Sequence, residues 1–418
     1  MGRETLKRYV LIFGGGLRNK GAQAMTFISV GEIRRRFPGL EPVVVSDRDY
    51  LAMKGRRGPY AFEVIRELPL GICRTAGASC AVRSACIALV KRLLRFGQYA
   101  NSARFYRDAA FALDVSGFAF GDKWGSAGCR AFLDRIELLG KFQIPLYLLP
   151  QSFGPFHFAR PSGAEEIERR STKLLTYPRI IFARERSGVS ALRSLCHEAN
   201  VRLSPDMVLQ NTDVALESIY EVVPDPSGHL PNPDARTVGI VPNKQNYERG
   251  NATAIDATYR RLISYLLNRG FDVAVIRHAS EDLSYCTRIK DQFADDPRVV
   301  VYDEDRPCFE YGELFSRLSF LIASRFHSIV HAFKVGVPCI ALGWSEKYAD
   351  LLLLIGHPEL MYDVTDQSFD VADVEQGVAY LIAHRDAVSR EIGAAVSEVQ
   401  KGNVFDLVEA DVRESLKS

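Results

Sequence analysis

The chain has 418 residues, 47% of them hydrophobic and 25% charged, with a formal net charge of +2. That length suits two or three ordinary domains, each with its own core, and the composition is that of a folded chain, not a disordered one. The balanced charge gives no basis for a nucleic-acid partner, and no run reaches the ~18 uncharged apolar residues that a membrane helix needs.

Tyr9–Phe13 reads as a buried strand, and Met1–Val10 has no apolar run of signal-peptide length. Gly14-Gly15-Gly16 follows, and Asn19-Lys20-Gly21-Ala22 opens a helix over Ala22–Phe37 that stops at Pro38-Gly39. The glycines match neither a dinucleotide fingerprint nor a P-loop, so the turn is either an anion-binding helix start or a plain strand–helix connection. Pro42–Ser46 is the next strand. Residues 78–96 have the pattern of a cationic amphipathic helix carrying Arg83, Lys91, Arg92 and Arg95. It either packs on a sheet or makes a peripheral membrane contact.

Phe111–Val115 is a strand leading into Ser116–Gly125, a glycine-rich aromatic loop read as flexible and substrate-facing. There the phenylalanines and Trp124 either suit a sugar ring or only pack the loop, and Asp122 suits a sugar's hydroxyls. A helix over Cys129–Phe142 and a strand over Pro145–Pro150 follow. Gln151 and Ser152 next to that strand can hydrogen-bond a polyhydroxyl ligand, Gly154-Pro155 marks a turn, and a lone loop histidine such as His157 is more often simply exposed. Then come a helix over Ala164–Leu175, a strand over Arg179–Ala183, a helix over Ser187–Leu195 with Ser187 as its cap, and a short strand at Val201–Leu203. Arg184 lies at a strand end, and Asp206 either faces the same cleft or caps a turn.

Residues 222–236, with Pro224, Pro226, Pro231 and Pro233, read as a linker. Alternation then resumes with strands at Thr237–Val241, Phe271–Arg277 and Arg298–Tyr302, and helices at Ala254–Arg269, Glu281–Phe293 and Tyr311–Leu318. The most informative stretch comes next. Strand Ser319–Ala323 runs into Arg325 and His327, then helix Ser328–Val335, Gly336, strand Val337–Leu342, Trp344 and Lys347. Ligands of open α/β sheets bind at the carboxyl ends of strands, and helix N-termini attract anions. An arginine, a histidine and a lysine there point to an anionic substrate and proton transfer. Ser328 is a ligand contact or a cap, and His331, one turn along an apolar helix, is a core residue. Helices at Val371–His384 and Asp386–Val404 close the chain.

The reading is therefore α/β, with two Rossmann-like domains facing a cleft: residues 1–221, a linker over 222–236, and residues 237–418 with the closing helices. The eight cysteines form no Cys-x-x-Cys pair and read as reduced buried thiols, and the eight histidines form no metal-type cluster.

Taken together, Asn19-x-Gly21-Ala22-x-Ala24, Ser116-Gly117 with Asp122, Pro150-Gln151-Ser152-x-Gly154-Pro155, Ala183-Arg184-Glu185-x-Ser187, Pro205-Asp206 and Arg325-x-His327-Ser328 with Gly336-x-Pro338 and Lys347 resemble the polysaccharide pyruvyl transferases. The resemblance implies a fold like the B-type glycosyltransferases (GT-B), phosphoenolpyruvate as donor, and a free or lipid-linked saccharide as acceptor. The implied product is a pyruvate ketal of a cell-surface polysaccharide or its precursor. It implies His327 as the catalytic histidine and Arg325 and Arg184 as donor-binding arginines. Asn19, Gly117, Asp122, Gln151, Ser152, Gly154, Asp206, Ser328 and Lys347 would bind substrate. Phe326, where a small aliphatic is common, and Glu185, where aspartate is frequent, depart mildly from the pattern. No cofactor and no metal are expected, and the expected place is the cytoplasm, reaching the inner membrane face if the acceptor is lipid-linked. The rival reading is a glycosyltransferase of the same architecture using a nucleotide sugar, with Glu346 as a candidate ribose ligand.

Overall fold

The computed structural model describes residues 8–54, 58–70, 97–157, 163–212, 214–224 and 230–415. The amphipathic segment 78–96 lies outside them.

The first sheet is all parallel: Tyr9–Phe13 (β1), Glu41–Val45 (β2), Glu63–Ile65 (β3), Ala109–Asp114 (β4), Phe118–Phe120 (β5), Leu146–Phe153 (β6), Ile180–Ala183 (β7) and Val201–Leu203 (β8). Its order is β3-β2-β1-β4-β6-β7-β8, with β5 paired to β6. Val10 through Phe13 and Leu146 through Leu149 are continuous buried runs, as expected of parallel strands covered on both faces. The second sheet holds Thr237–Val241 (β9), Asp272–Ile276 (β10), Val299–Tyr302 (β11), Leu321–Ala323 (β12), Cys339–Gly343 (β13) and Met361–Asp363 (β14). Its order is β11-β10-β9-β12-β13-β14, again parallel. In both sheets the order reverses beside the first strand, which is the doubly wound pattern.

Three expectations change. The loop at Ser116–Gly125 contains strand β5, because Phe120 turns inward and stacks on Phe132 at 4.8 Å between ring centroids. The two closing helices divide at a different place. Val371–Val399 is one continuous helix of 29 residues, and the second helix is Val404–Ser415. Nothing at Arg385 breaks a helix, whereas Gly402-Asn403 does. Finally, Ser187 does not cap its helix, which begins one residue earlier at Arg186 behind Glu185.

Helix Val404–Ser415 returns to the first sheet. Asp411 accepts from Tyr147 Oη at 2.6 Å and from Arg179 Nε at 2.9 Å. Asp406 and Glu409 hold Arg36 at 2.6 and 2.8 Å. Five described cysteines, 129, 196, 286, 308 and 339, are free and buried. No helix among the described residues is long and apolar enough to cross a membrane.

Candidate functional site

The carboxyl ends of the two sheets face one another. Asn19 follows β1, Gly117 follows β4, Gln151 and Ser152 end β6, Arg184 follows β7, and Asp206 follows β8. From the other lobe come Asn243 after β9, His278 after β10, Arg325 to Ser328 after β12, and Trp344 to Lys347 after β13.

At the centre His327 Nε2 lies 3.5 Å from Asp206 Oδ2, across the lobe boundary, with side chains 14% and 1% exposed. Asp206 does two jobs. Its Oδ1 accepts from Val208 N at 2.8 Å, capping helix Met207–Gln210, and its Oδ2 accepts from Arg184 Nη1 at 2.7 Å. Burial pushes the Asp206 carboxyl up, but His327 and Arg184 outweigh it and hold the group well below the usual carboxylate range. Asp206 is thus a fixed anion beside the imidazole.

Arg184 Nη2 donates to Gly117 O at 2.7 Å and to Ser152 Oγ at 2.8 Å. Its guanidinium lies 4.7 Å from the Phe326 ring centroid. With these bonds Arg184 ties three strand ends of one lobe to the aromatic residue before His327. Ser152 Oγ in turn donates to Glu185 Oε1 at 2.7 Å. The helix opened by Asn19, whose side chain accepts from Gly21 N at 3.1 Å, runs against the same histidine. A Cβ on Gly21 would stand 2.0 Å from His327 Nδ1, so only glycine fits there.

Arg325 Nε and Nη2 grip Asp282 at 2.7 and 2.6 Å, and Nη2 also reaches Glu281 at 2.9 Å. Its Nη1 makes no bond among the described residues, and Arg325 lines a cavity of about 140 Å³ with Asn19, Lys123, His278, His327 and Lys347. Ser328 Oγ donates to Arg325 O at 2.6 Å and is fully buried, so it shapes the helix start.

Among the described residues no carboxylate lies within ion-pair distance of Lys347. Its Nζ lies 5.4 Å from the Phe326 ring and 5.2 Å from the Trp344 ring. Burial first, then Arg184 and Lys123, push its ammonium down to about 7. Lys123, on the facing lobe, is pushed down to about 8 by burial and then by Arg249 and Arg325. Beyond Trp344 the cavity opens into a cleft of about 610 Å³ lined by Phe118, Asp122, Ser152, Gly154, His157 and Arg249.

The structure therefore brings Asn19, Arg325, His327 and Lys347 to one cavity, with Arg184 and Asp206 lining a neighbouring one that shares Lys347; Gly117 and Ser328 stand behind them through their bonds to Arg184 and Arg325. Asp122, Ser152 and Gly154 line the adjoining cleft. Gln151 is fully buried, its Nε2 3.4 Å from Asp114, and it supports the floor. His157 is exposed, with its backbone N–H on Asp122 at 2.8 Å. His331 is buried, and burial, then His327 and Lys334, lower it to about 3. Sequence reasoning passed over Asp282, Lys123, Asn243 and His278. Asn243 and His278 stand just after β9 and β10, so the strand-end rule applied throughout the second lobe would have found them. Among the described residues no group of three or more His, Cys, Asp or Glu is placed to hold a metal ion.

Structures with this architecture are numerous and distant in sequence. Anabaena HepE, solved with UDP and glucose, has a TM-score of 0.55 at 11% identity, covering 99% of this chain and 100% of its own. A putative UDP-N-acetylglucosamine 2-epimerase from Listeria monocytogenes has a TM-score of 0.53 at 9% identity, covering 92% and 90%. A UGT transferase from Siraitia grosvenorii in complex with UDP has a TM-score of 0.51 at 12% identity, covering 98% and 99%. The fold is GT-B, with two Rossmann-like domains. No curated protein matches the chain in sequence. The family profile of the polysaccharide pyruvyl transferases matches residues 19–346. The chain belongs to that family.

Proposed function

We propose that the protein transfers the pyruvyl group of phosphoenolpyruvate onto two hydroxyls of a saccharide, forming a ketal and releasing phosphate. The observation that carries this reading is the His327–Asp206 pair across the lobes, set in a small cavity beside the unpaired Lys347 ammonium. A compact dianionic donor needs fixed cations, and the cavity offers Lys347, Lys123 and the free Nη1 of Arg325.

His327, with the Asp206 carboxylate 3.5 Å from its Nε2, is the group that exchanges protons with substrate. The donor's methylene carbon takes a proton and a sugar hydroxyl bonds to C2. A second hydroxyl then bonds to the same carbon as the C2–O bond to phosphate breaks. One hydroxyl proton balances the methyl group formed, and the other leaves with phosphate or solvent. The acceptor lies in the wider cleft, where Phe118 offers an aromatic ring and Asp122 a carboxylate. Arg184, whose Nη1 and Nη2 donate within its own lobe, holds Asp206 in place.

Calorimetric titration with phosphoenolpyruvate tests the reading, with a panel of nucleotide sugars run alongside. Saturable donor binding is expected, lost in Arg325→Ala but kept in His327→Ala, which loses turnover instead. Binding of a nucleotide sugar with none of phosphoenolpyruvate, even with candidate saccharides present, would replace this reading with glycosyl transfer.

A further inference from the structure

Trp344 sits under three cations. The guanidinium of Arg249 is 4.1 Å from the indole centroid, the ammonium of Lys123 is 4.6 Å away and that of Lys347 is 5.2 Å away. Lys123 belongs to one lobe and the other two to its partner lobe. Among the described residues no carboxylate lies within ion-pair distance of any of the three, and Arg249 Nε donates to Gln245 Oε1 at 3.3 Å. The indole Nε1 is buried and has no hydrogen-bond partner. Each ring–cation contact is worth only about 0.5–2 kcal/mol, so the rings do not neutralise the cluster. Like charges this close repel in a part-dry cleft, and an anion between them removes that repulsion.

The pyruvyl donor accounts for only part of the cluster. Lys123 and Lys347 border both the small cavity and the wide cleft, whereas Arg249 borders the wide cleft alone. Asp122, Glu185 and Glu346 also line that cleft, and carboxylates there suit neutral hydroxyls, not an anion. An acceptor must therefore present hydroxyls to one set of groups and negative charge to the other.

We propose that Arg249, Lys123 and the Trp344 indole N–H form a phosphate subsite for the acceptor, whose saccharide is carried on a phosphate or diphosphate ester. This rests on the pyruvyl-transfer reading for the word acceptor, while the subsite itself rests on the cation cluster. A diphosphate attached to the sugar would span the lobes at Trp344 and leave the sugar ring facing Phe118 and Asp122. The same chemistry arises from a soluble nucleotide ester or from a lipid-borne diphosphate.

The test titrates the full chain with inorganic pyrophosphate at saturating phosphoenolpyruvate, then with uridine diphosphate, then by sedimentation with vesicles carrying a polyprenyl diphosphate. Pyrophosphate should bind beside the donor and weaken about tenfold in Arg249→Met, the loss of one charge-assisted hydrogen bond. Phosphoenolpyruvate affinity should hardly move in that variant, and Arg249→Lys should recover part of the loss. Uridine diphosphate binding points to a soluble ester, and Arg249-dependent sedimentation with the doped vesicles points to a lipid-borne one. Pyrophosphate that merely competes with the donor, or binds equally well without Arg249, overturns the proposal. So does a chain indifferent to all three probes. If pyrophosphate binds through Arg249 while phosphoenolpyruvate does not bind at all, the donor reading fails and the subsite stands.

Discussion

Among the described residues Lys347 has no carboxylate within ion-pair distance, and the sign of its pH dependence can be worked out. Its folded-state value of about 7 lies below the ordinary lysine value. The fold therefore favours the neutral amine, and the penalty for the ammonium is complete below about 7. It fades as pH rises toward the unfolded value of ~10.4, so this group adds stability with rising pH. Donor binding runs the other way, because a bound anion favours the ammonium. Phosphoenolpyruvate affinity should fall by up to about tenfold per pH unit above the free-site pKa, with proton uptake on binding. Calorimetry in buffers of different ionisation enthalpy measures that uptake, and Lys347→Met should abolish it. A flat profile in the native chain would remove Lys347 from the donor site.

The same scale shows what single residues reveal from sequence. Arg325, His327 and Lys347 were readable because each follows a parallel strand, where ligands collect. The partner of Arg325 was not. Asp282 lies beyond β10, and β9 separates β10 from β12, so the bidentate grip depends on sheet order that no local pattern encodes. Asp206 was ambiguous between cleft and cap because it is both, one oxygen serving each role.

Among the elements, helix Val404–Ser415 does the least expected work. The hydrogen bond from Tyr147 to Asp411 joins β6 of the first sheet to the last described helix. Tyr147→Phe removes that bond while keeping the buried ring. It should cost about 1 kcal/mol in urea unfolding, because Arg179 still satisfies the carboxylate. A loss near zero would mean the helix docks through its apolar face alone. The short edge strands β3 and β14 were passed over, whereas most other strands of both lobes were legible within two or three residues because continuous apolar runs bounded by glycine and polar residues leave few alternatives. Strand β5 was not, since glycine-rich flanks and three consecutive aromatic or small residues read as loop. Tertiary contact of Phe120 with Phe132 decides it. The break between the closing helices was misplaced for the opposite reason. Amphipathic periodicity continued through Arg385, and the later Gly402-Asn403 signal was passed over.

At the scale of the whole molecule, the lobes meet through a few specific ties. Lys20 Nζ reaches Asp305 at 2.6 Å, Gln23 Oε1 accepts from Cys308 N at 2.7 Å, and His327 faces Asp206. The Gln23 bond is buried at both ends. Gln23→Leu would strand the Cys308 N–H and should cost about 1–3 kcal/mol, measured by chemical denaturation. An unchanged midpoint would mean that water takes the amide and that the lobes separate easily. The Lys20 and Gln23 ties spring from the one helix Lys20–Arg36 and the third is the His327–Asp206 pair, so orienting the lobes also sets the geometry of that pair.

The path of the backbone adds one more consequence. It crosses from the first lobe to the second before Thr237 and crosses back after Val399, where the return helix locks onto Tyr147, Arg179 and Arg36. The lobes are thus held by two separate straps. A protease that severs either one would leave a nicked molecule still in one piece, its halves parting only in denaturant.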